Sequence, residues 1–230
     1  MKAVIPCAGE GIRMRPLTLT RPKQLLEIGG KPILEHIFEN LPAEIDKVIL
    51  VVNYLKKQIR DYFGGEFGGR KIQYVVQEDK TGTWGALNAA RPVLGKEKFL
   101  MLYGDDILDR ESIEKCLKHD LAILVKEVDD PRRFGVVVAD EKGRVLELVE
   151  KPEIPPSRFA FTGVKVLDER IFNYPARRHP NGEFYVTDAV AQLAKDHDVF
   201  VEHAQTWFSI ATPEDLKQVD ENFKVLAGKF

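Results

Sequence analysis

The chain has 230 residues, 44% hydrophobic and 30% charged, a balance that fills a core and excludes a disordered chain. Thirty-four basic and 36 acidic residues leave a net charge of −2, with no global positive field for a nucleic acid backbone. Two cysteines, Cys7 and Cys116, are too few for a disulfide framework, and no apolar run approaches the about 20 residues that cross a bilayer. With no signal-peptide pattern after Met1, the expectation is a soluble, reduced, cytoplasmic protein without nucleic acid or membrane partners.

In chain order, Lys2–Pro6 reads as a strand and Pro32–Asn40 as a helix with Pro32 in its first turn. Asp46–Val52 is a strand, Leu55–Phe63 a helix, Lys71–Val76 a strand, Gly85–Ala90 a helix and Phe99–Tyr103 a strand. Near-continuous apolar strands alternating with helices predict a parallel sheet covered on both faces. The rhythm changes after about residue 110. Leu121–Val125, Gly135–Ala139, Val145–Val149 and Phe161–Val166 read as strands. Thr187 is expected to cap a helix over Asp188–Lys195, and Thr212-Pro213-Glu214-Asp215 to open a helix ending near Ala227.

The first strand runs into Cys7-Ala8-Gly9-Glu10-Gly11-Ile12-Arg13-Met14-Arg15. Glycines after a strand form either an ordinary tight turn or a nest of backbone N–H groups for an anion. A Rossmann fingerprint is excluded because Met14 stands where its third glycine would fall, and no P-loop Gly-Lys-Ser/Thr is present. Arg13, Arg15 and Lys23 beside the glycines make a candidate polyphosphate cradle.

The ordered run Ala8-Gly9-Glu10-Gly11-x-Arg13-Met14-Arg15-Pro16-Leu17-Thr18, Pro22-Lys23-Gln24-Leu25-Leu26 and Gly30-Lys31-Pro32 resembles the signature of the sugar-1-phosphate nucleotidylyltransferases. Ile12 replaces a usual threonine. The resemblance covers about residues 2–216 and is nearest to the glucose-1-phosphate thymidylyl- and uridylyltransferases. It implies a Rossmann-like α/β single domain over residues 1–230, with a mostly parallel mixed central sheet flanked by helices. A nucleotide-binding half over about 1–110, a sugar-binding half over about 111–205 and a closing strand and helix over 206–230 follow. Many relatives add a C-terminal left-handed β-helix; with the chain ending at Phe230, acetyltransfer is not expected.

By the same resemblance Ala8, Gly9 and Gly11 wrap the nucleotide phosphates, Arg13 holds the leaving pyrophosphate and Lys23 the reacting phosphate. Gln77-Glu78-Asp79-Lys80-Thr81-Gly82-Thr83-Trp84-Gly85-Ala86-Leu87 opens a helix after a strand. A glutamine amide both donates and accepts, matching the edge of uracil or thymine. The segment is either a polar turn or, as in the uridylyl and thymidylyl members it resembles, a pyrimidine reader in which Gln77 and Gly82 contact the base. Asp105 ends an apolar strand, where it either caps a helix or, by resemblance, holds Mg²⁺, with Asp106 a second candidate.

Phe134-Gly135-Val136-Val137, Leu148-Val149-Glu150-Lys151-Pro152 and Phe161-Thr162-Gly163-Val164 resemble further family elements. They imply that Gly135 contacts the sugar, Glu150 accepts from its hydroxyls, Lys151 lies near its phosphate and Thr162 lines the pocket. Phe161 stands where N-acetyl-sugar members carry asparagine, which favours a plain hexose. The expected reaction joins UTP or dTTP to a hexose 1-phosphate, glucose 1-phosphate first, giving NDP-sugar and pyrophosphate; a homo-oligomer is compatible with it. One departure supports an alternative. The family's distal acidic ligand, in a Trp-x-Asp-Ile-Gly-Thr-Pro-Glu pattern, is Ser209 here. The alternative is a nucleotide-sugar-binding regulatory module with weak or no catalysis. None of the five histidines forms a close pair with metal-ligand spacing.

Overall fold

The computed structural model describes residues 1–79 and 81–227. Lys80 of the expected base-reading segment and the last three residues of the expected domain lie outside the described residues. The first half contains β1 (Lys2–Cys7), β2 (Glu27–Ile28), β3 (Lys31–Pro32), α1 (Ile33–Asn40), β4 (Lys47–Val52), α2 (Lys56–Phe63), β5 (Glu66–Phe67), β6 (Arg70–Val76), α3 (Gly82–Leu94) and β7 (Phe99–Met101). The second contains β8 (Asp106–Leu108), α4 (Arg110–Leu117), β9 (Ala122–Glu127), β10 (Gly135–Ala139), β11 (Val145–Glu150), β12 (Phe159–Leu167), α5 (Val186–Asp196), β13 (Phe200–His203), β14 (Trp207–Ser209) and α6 (Pro213–Ala227).

The near-continuous apolar strands are explained by burial on both faces. Ala3, Ile5 and Cys7 of β1 and Val48, Leu50 and Val52 of β4 join one core with Ile37 of α1 and Phe63 of α2. The alternate residues Val4, Ile49 and Val51 join a second core with Leu87 of α3 and Val190 of α5. Strands β7, β1, β4 and β6 lie side by side and parallel at the centre of the main sheet. Antiparallel strands extend it, β5 beyond β6 and β12, β10 and β11 beyond β7. Strand β9 pairs with β12 and β13, while β8 pairs with β14 in a separate ribbon. The fold is thus mixed α/β, with a central, mostly parallel sheet flanked by helices. No helix among the described residues is long and apolar enough to cross a membrane.

The α6 start matches its sequence signal. Thr212 Oγ1 accepts from the Asp215 N–H at 3.3 Å, and Asp215 Oδ2 accepts from the Thr212 N–H at 2.8 Å. The α5 start differs from expectation. Thr187 lies inside the first turn, and the Val186 N–H instead finds Thr83 Oγ1 of α3 at 3.0 Å. A hydroxyl distant in sequence replaces the local cap and ties α5 to α3. Pro32 also stands one residue outside α1, in β3.

Candidate active site

A cavity of about 730 Å³ opens where β1, β6 and β7 end. In open α/β sheets these carboxyl ends are where ligands collect. Directly after β1, Gly11 takes a left-handed conformation (φ 62°), leading into a single 3₁₀ turn over Ile12–Met14. The buried Met14 side chain anchors that turn, and Thr18 Oγ1 donates to the Gly11 carbonyl at 2.8 Å. The Tyr54 hydroxyl donates to the Thr18 carbonyl at 3.0 Å, so the loop is held from two directions. Ala8, Gly9, Gly11 and the exposed Arg13 line the cavity. Arg15 does not; its guanidinium pairs with Glu10 at 3.1 Å, so the cradle has two cations rather than three.

Lys23 begins a second 3₁₀ turn. Its buried side chain reaches Asp105, with Nζ to Oδ2 at 2.5 Å, across 82 residues of sequence. Asp105 follows β7, and its carbonyl accepts from the Ile210 N–H at 3.1 Å, which fastens the segment after β14 to the site. Asp106 opens β8 directly opposite Ser209 of β14. Burial and the neighbouring Asp105 push the Asp106 carboxyl well above the usual range, against the Ser209 hydroxyl, Lys23 and the Trp207 indole, which favour its charged form. Asp105 and Asp106 both line the cavity, and Asp106 Oδ1 is buried with no hydrogen-bond partner among the described residues. An oxygen-donor set of this kind suits Mg²⁺, which needs only one or two carboxylates beside phosphate oxygens.

Gln77 lies just past β6, 7% exposed, with Nε2 donating to the Gly82 carbonyl at 3.2 Å. Asn53 Nδ2 donates to the Gln77 backbone carbonyl, which holds the main chain at that position. A Cβ at Gly85 would sit 1.9 Å from Thr81 Oγ1 and 2.8 Å from Gln77 Nε2, so a larger residue there would displace both side chains. The amide is therefore fixed before any ligand arrives, and Gln77 and Gly82 both face the cavity.

The second half of the wall comes from paired strands. Gly135 of β10 stands opposite Glu150 of β11. The Glu150 carboxylate, 9% exposed, pairs with Lys151 Nζ at 3.0 Å. Burial opposes the Lys151 ammonium, but Glu150 and Tyr185 outweigh it and raise its pKa. The Lys151 ammonium lies 4.5 Å from the Tyr185 ring centroid. Gly135, Glu150 and Lys151 all line the cavity.

Thr162 does not. It is fully buried and its hydroxyl donates to the Leu124 carbonyl of β9 at 2.9 Å. Successive side chains of a strand face opposite ways, so the cavity receives Phe161 and the core receives Thr162. Beyond an irregularity in β12, Lys165 turns toward Phe161, its Nζ 4.9 Å from that ring's centroid. Its Nζ donates to the Gly163 carbonyl at 2.7 Å and lies 4.1 Å from the Tyr103 ring centroid. Complete burial pulls the Lys165 ammonium down to about 7, against the attraction of Asp106 and Glu150. Tyr103, Asn181 and Tyr185 also line the cavity, and no motif in the amino-acid sequence marks them. Lys165, a lysine in the mostly apolar β12, is not among the residues that line the cavity. The segment Gly182-Glu183-Phe184-Tyr185 contributes Glu183 and Tyr185 to the wall.

The family model for nucleotidyl transferases matches residues 2–224. The bifunctional protein GlmU of Methanocaldococcus jannaschii is 38% identical over 224 residues, 96% of this chain and 54% of that protein. The chain thus spans about half the length of the GlmU relatives it matches. The UTP–glucose-1-phosphate uridylyltransferase AglF of Haloferax volcanii is 32% identical, covering 97% of each chain. A UDP-glucose pyrophosphorylase crystallised with UDP-glucose shares the fold, with a TM-score of 0.87 at 23% identity over 97% of this chain and 98% of that one. A Bacillus anthracis structure described as a putative glucose-1-phosphate thymidylyltransferase gives 0.84 at 26% identity over 96% and 94%. The chain belongs to the nucleotidyl transferase family, whose sugar-1-phosphate nucleotidylyltransferase members its motifs resemble.

Proposed function

We propose that this chain joins UTP or dTTP to a hexose 1-phosphate, glucose 1-phosphate first, and releases pyrophosphate. One observation carries the reading. A single cavity collects the glycine loop with Arg13, the Lys23–Asp105 pair, the fixed Gln77 amide and the Gly135, Glu150 and Lys151 wall. AglF, matched over nearly its whole length, is named for UTP and glucose 1-phosphate, and the Bacillus anthracis structure for thymidylyl transfer.

In the proposed mechanism a sugar-phosphate oxygen attacks the α-phosphorus in line and pyrophosphate leaves opposite. No covalent enzyme intermediate is needed, so the protein contributes positioning and charge neutralisation. Backbone N–H groups at Gly9 and Gly11 hold the triphosphate, Arg13 meets the leaving pyrophosphate and Lys23 the reacting phosphate. Lys23 needs little reorganisation, because Asp105 already holds its ammonium in the cavity wall. Gln77 and Gly82 read the pyrimidine; Glu150 accepts from sugar hydroxyls, and Lys151 faces the sugar phosphate. Mg²⁺ at Asp105 would neutralise charge on the phosphate oxygens. The thiols of Cys7 and Cys116 are free and buried, which suits a cytoplasmic setting and gives neither a catalytic part.

The test is pyrophosphate release with Mg²⁺, crossing five nucleoside triphosphates with glucose, N-acetylglucosamine, mannose and galactose 1-phosphates. Release confined to a pyrimidine nucleotide is expected. Binding of UTP or dTTP without release from any pair would favour the binding-only reading that Ser209 suggests.

A further inference from the structure

The family's distal acidic position is a serine here, and a neutral hydroxyl is a poor replacement for a carboxylate on a divalent cation. The pairing of β8 with β14 puts Asp106 directly opposite that serine. Directly paired residues on neighbouring strands share a face, with Cβ atoms about 4.5–5.5 Å apart. A carboxylate absent from β14 is thus present on the partner strand at the paired position.

The surroundings of Asp106 point to a ligand outside the chain. The residue is 5% exposed yet lines the cavity, and its Oδ1 has no hydrogen-bond partner among the described residues. Leaving a buried carboxylate oxygen unsatisfied is costly, so such an oxygen needs an explanation. No described residue supplies a cation at contact distance to Asp106. Lys23 is engaged by Asp105 at 2.5 Å, and Lys165 donates to the Gly163 carbonyl. Two adjacent carboxylates facing one cavity also repel, and a divalent cation shared between them removes that repulsion.

We propose that Asp105 and Asp106 together hold the divalent cation, Asp106 contributing from β8 what an acidic residue at position 209 would contribute from β14. The proposal rests on the nucleotidyltransferase reading of the cavity. It explains how a chain with Ser209 keeps a two-carboxylate site.

The experiment titrates Mn²⁺ alone into the full chain and follows loss of the free-ion electron paramagnetic resonance signal. Wild type, D106N, S209D and D106N/S209D are compared. D106N is expected to weaken Mn²⁺ binding at least about tenfold, and D106N/S209D to restore most of it by returning the carboxylate to the opposite strand. Unchanged Mn²⁺ affinity in D106N overturns the proposal. So does a D106N defect confined to KM for the sugar 1-phosphate, which would make Asp106 a sugar contact. If D106N does not fold, S209D carries the test: a gain in Mn²⁺ affinity supports the shared site, and no gain overturns it. Pyrophosphate release by the wild type is measured separately, so failure of the enzyme reading is not mistaken for failure of the Asp106 assignment.

Discussion

Strands β7, β1, β4 and β6 run parallel, and their following loops reach one edge of the sheet together. Strands β10, β11 and β12 alternate in direction, and the cavity wall they form is made from the faces of strands as well as from loops. In the parallel half a functional residue lies just past the strand that precedes it, so its place follows from its position in the chain. Gln77 and Asp105 illustrate this, each within a few residues of a strand end. In the antiparallel half a residue's role depends on which way it faces. One step along β12 separates Phe161, in the wall, from Thr162, in the core. Beyond Phe161 the pairing of β12 with β9 shifts register before resuming at Lys165.

The contrast is sharpened most by Lys23→Ala in the parallel half. Removing its ammonium is expected to lower kcat about 100-fold or more, the scale for one electrostatic stabiliser. Steady-state pyrophosphate release checks this, and a folded variant with wild-type turnover would remove Lys23 from the mechanism.

Lys165→Met probes the antiparallel half through stability. The Lys165 ammonium falls to about 7 in the folded chain against 10.5 for the free group. Between those values the unfolded chain binds more protons, so this group's contribution to stability rises with pH; below about 7 its destabilising effect is complete. Methionine is therefore expected to stabilise the fold by about 1–3 kcal/mol at pH 6. Urea melts should show the gain shrinking by pH 9. A gain independent of pH would mean that the ammonium is not the cause.

Gln77→Ala is expected to raise KM for the nucleotide about tenfold, the equivalent of a hydrogen bond or two, and to blunt discrimination among bases. Unchanged base preference would assign the reading to other groups. The smallest effect is expected from Thr162→Val. Losing the hydrogen bond to Leu124 should cost about 1 kcal/mol of stability while leaving KM for the sugar 1-phosphate unaltered. A large KM increase would return Thr162 to the cavity wall.

Contiguous signals were legible without a structure. The glycine loop, Lys23, the Gln77 segment and Asp105 are short runs whose chemistry lies in neighbouring residues, and all of them line one cavity. The capping pattern at Thr212–Asp215 forms as its spacing implies, because its partners lie within one helical turn. Near-continuous apolar runs likewise located the central strands. Thr187 was misread because the cap it seemed to provide comes from Thr83, 103 residues away from Val186.

By itself, then, the amino-acid sequence determined the central strands, the phosphate loop and the family, since each depends on residues close together along the chain. Tertiary structure decided which side of β12 faces the cavity, the burial of Lys165 beside Tyr103 and the placement of Asp106 opposite Ser209. Those arrangements depend on strand register and on packing between segments far apart in sequence. A one-residue change in register reverses every facing, and no local pattern records it.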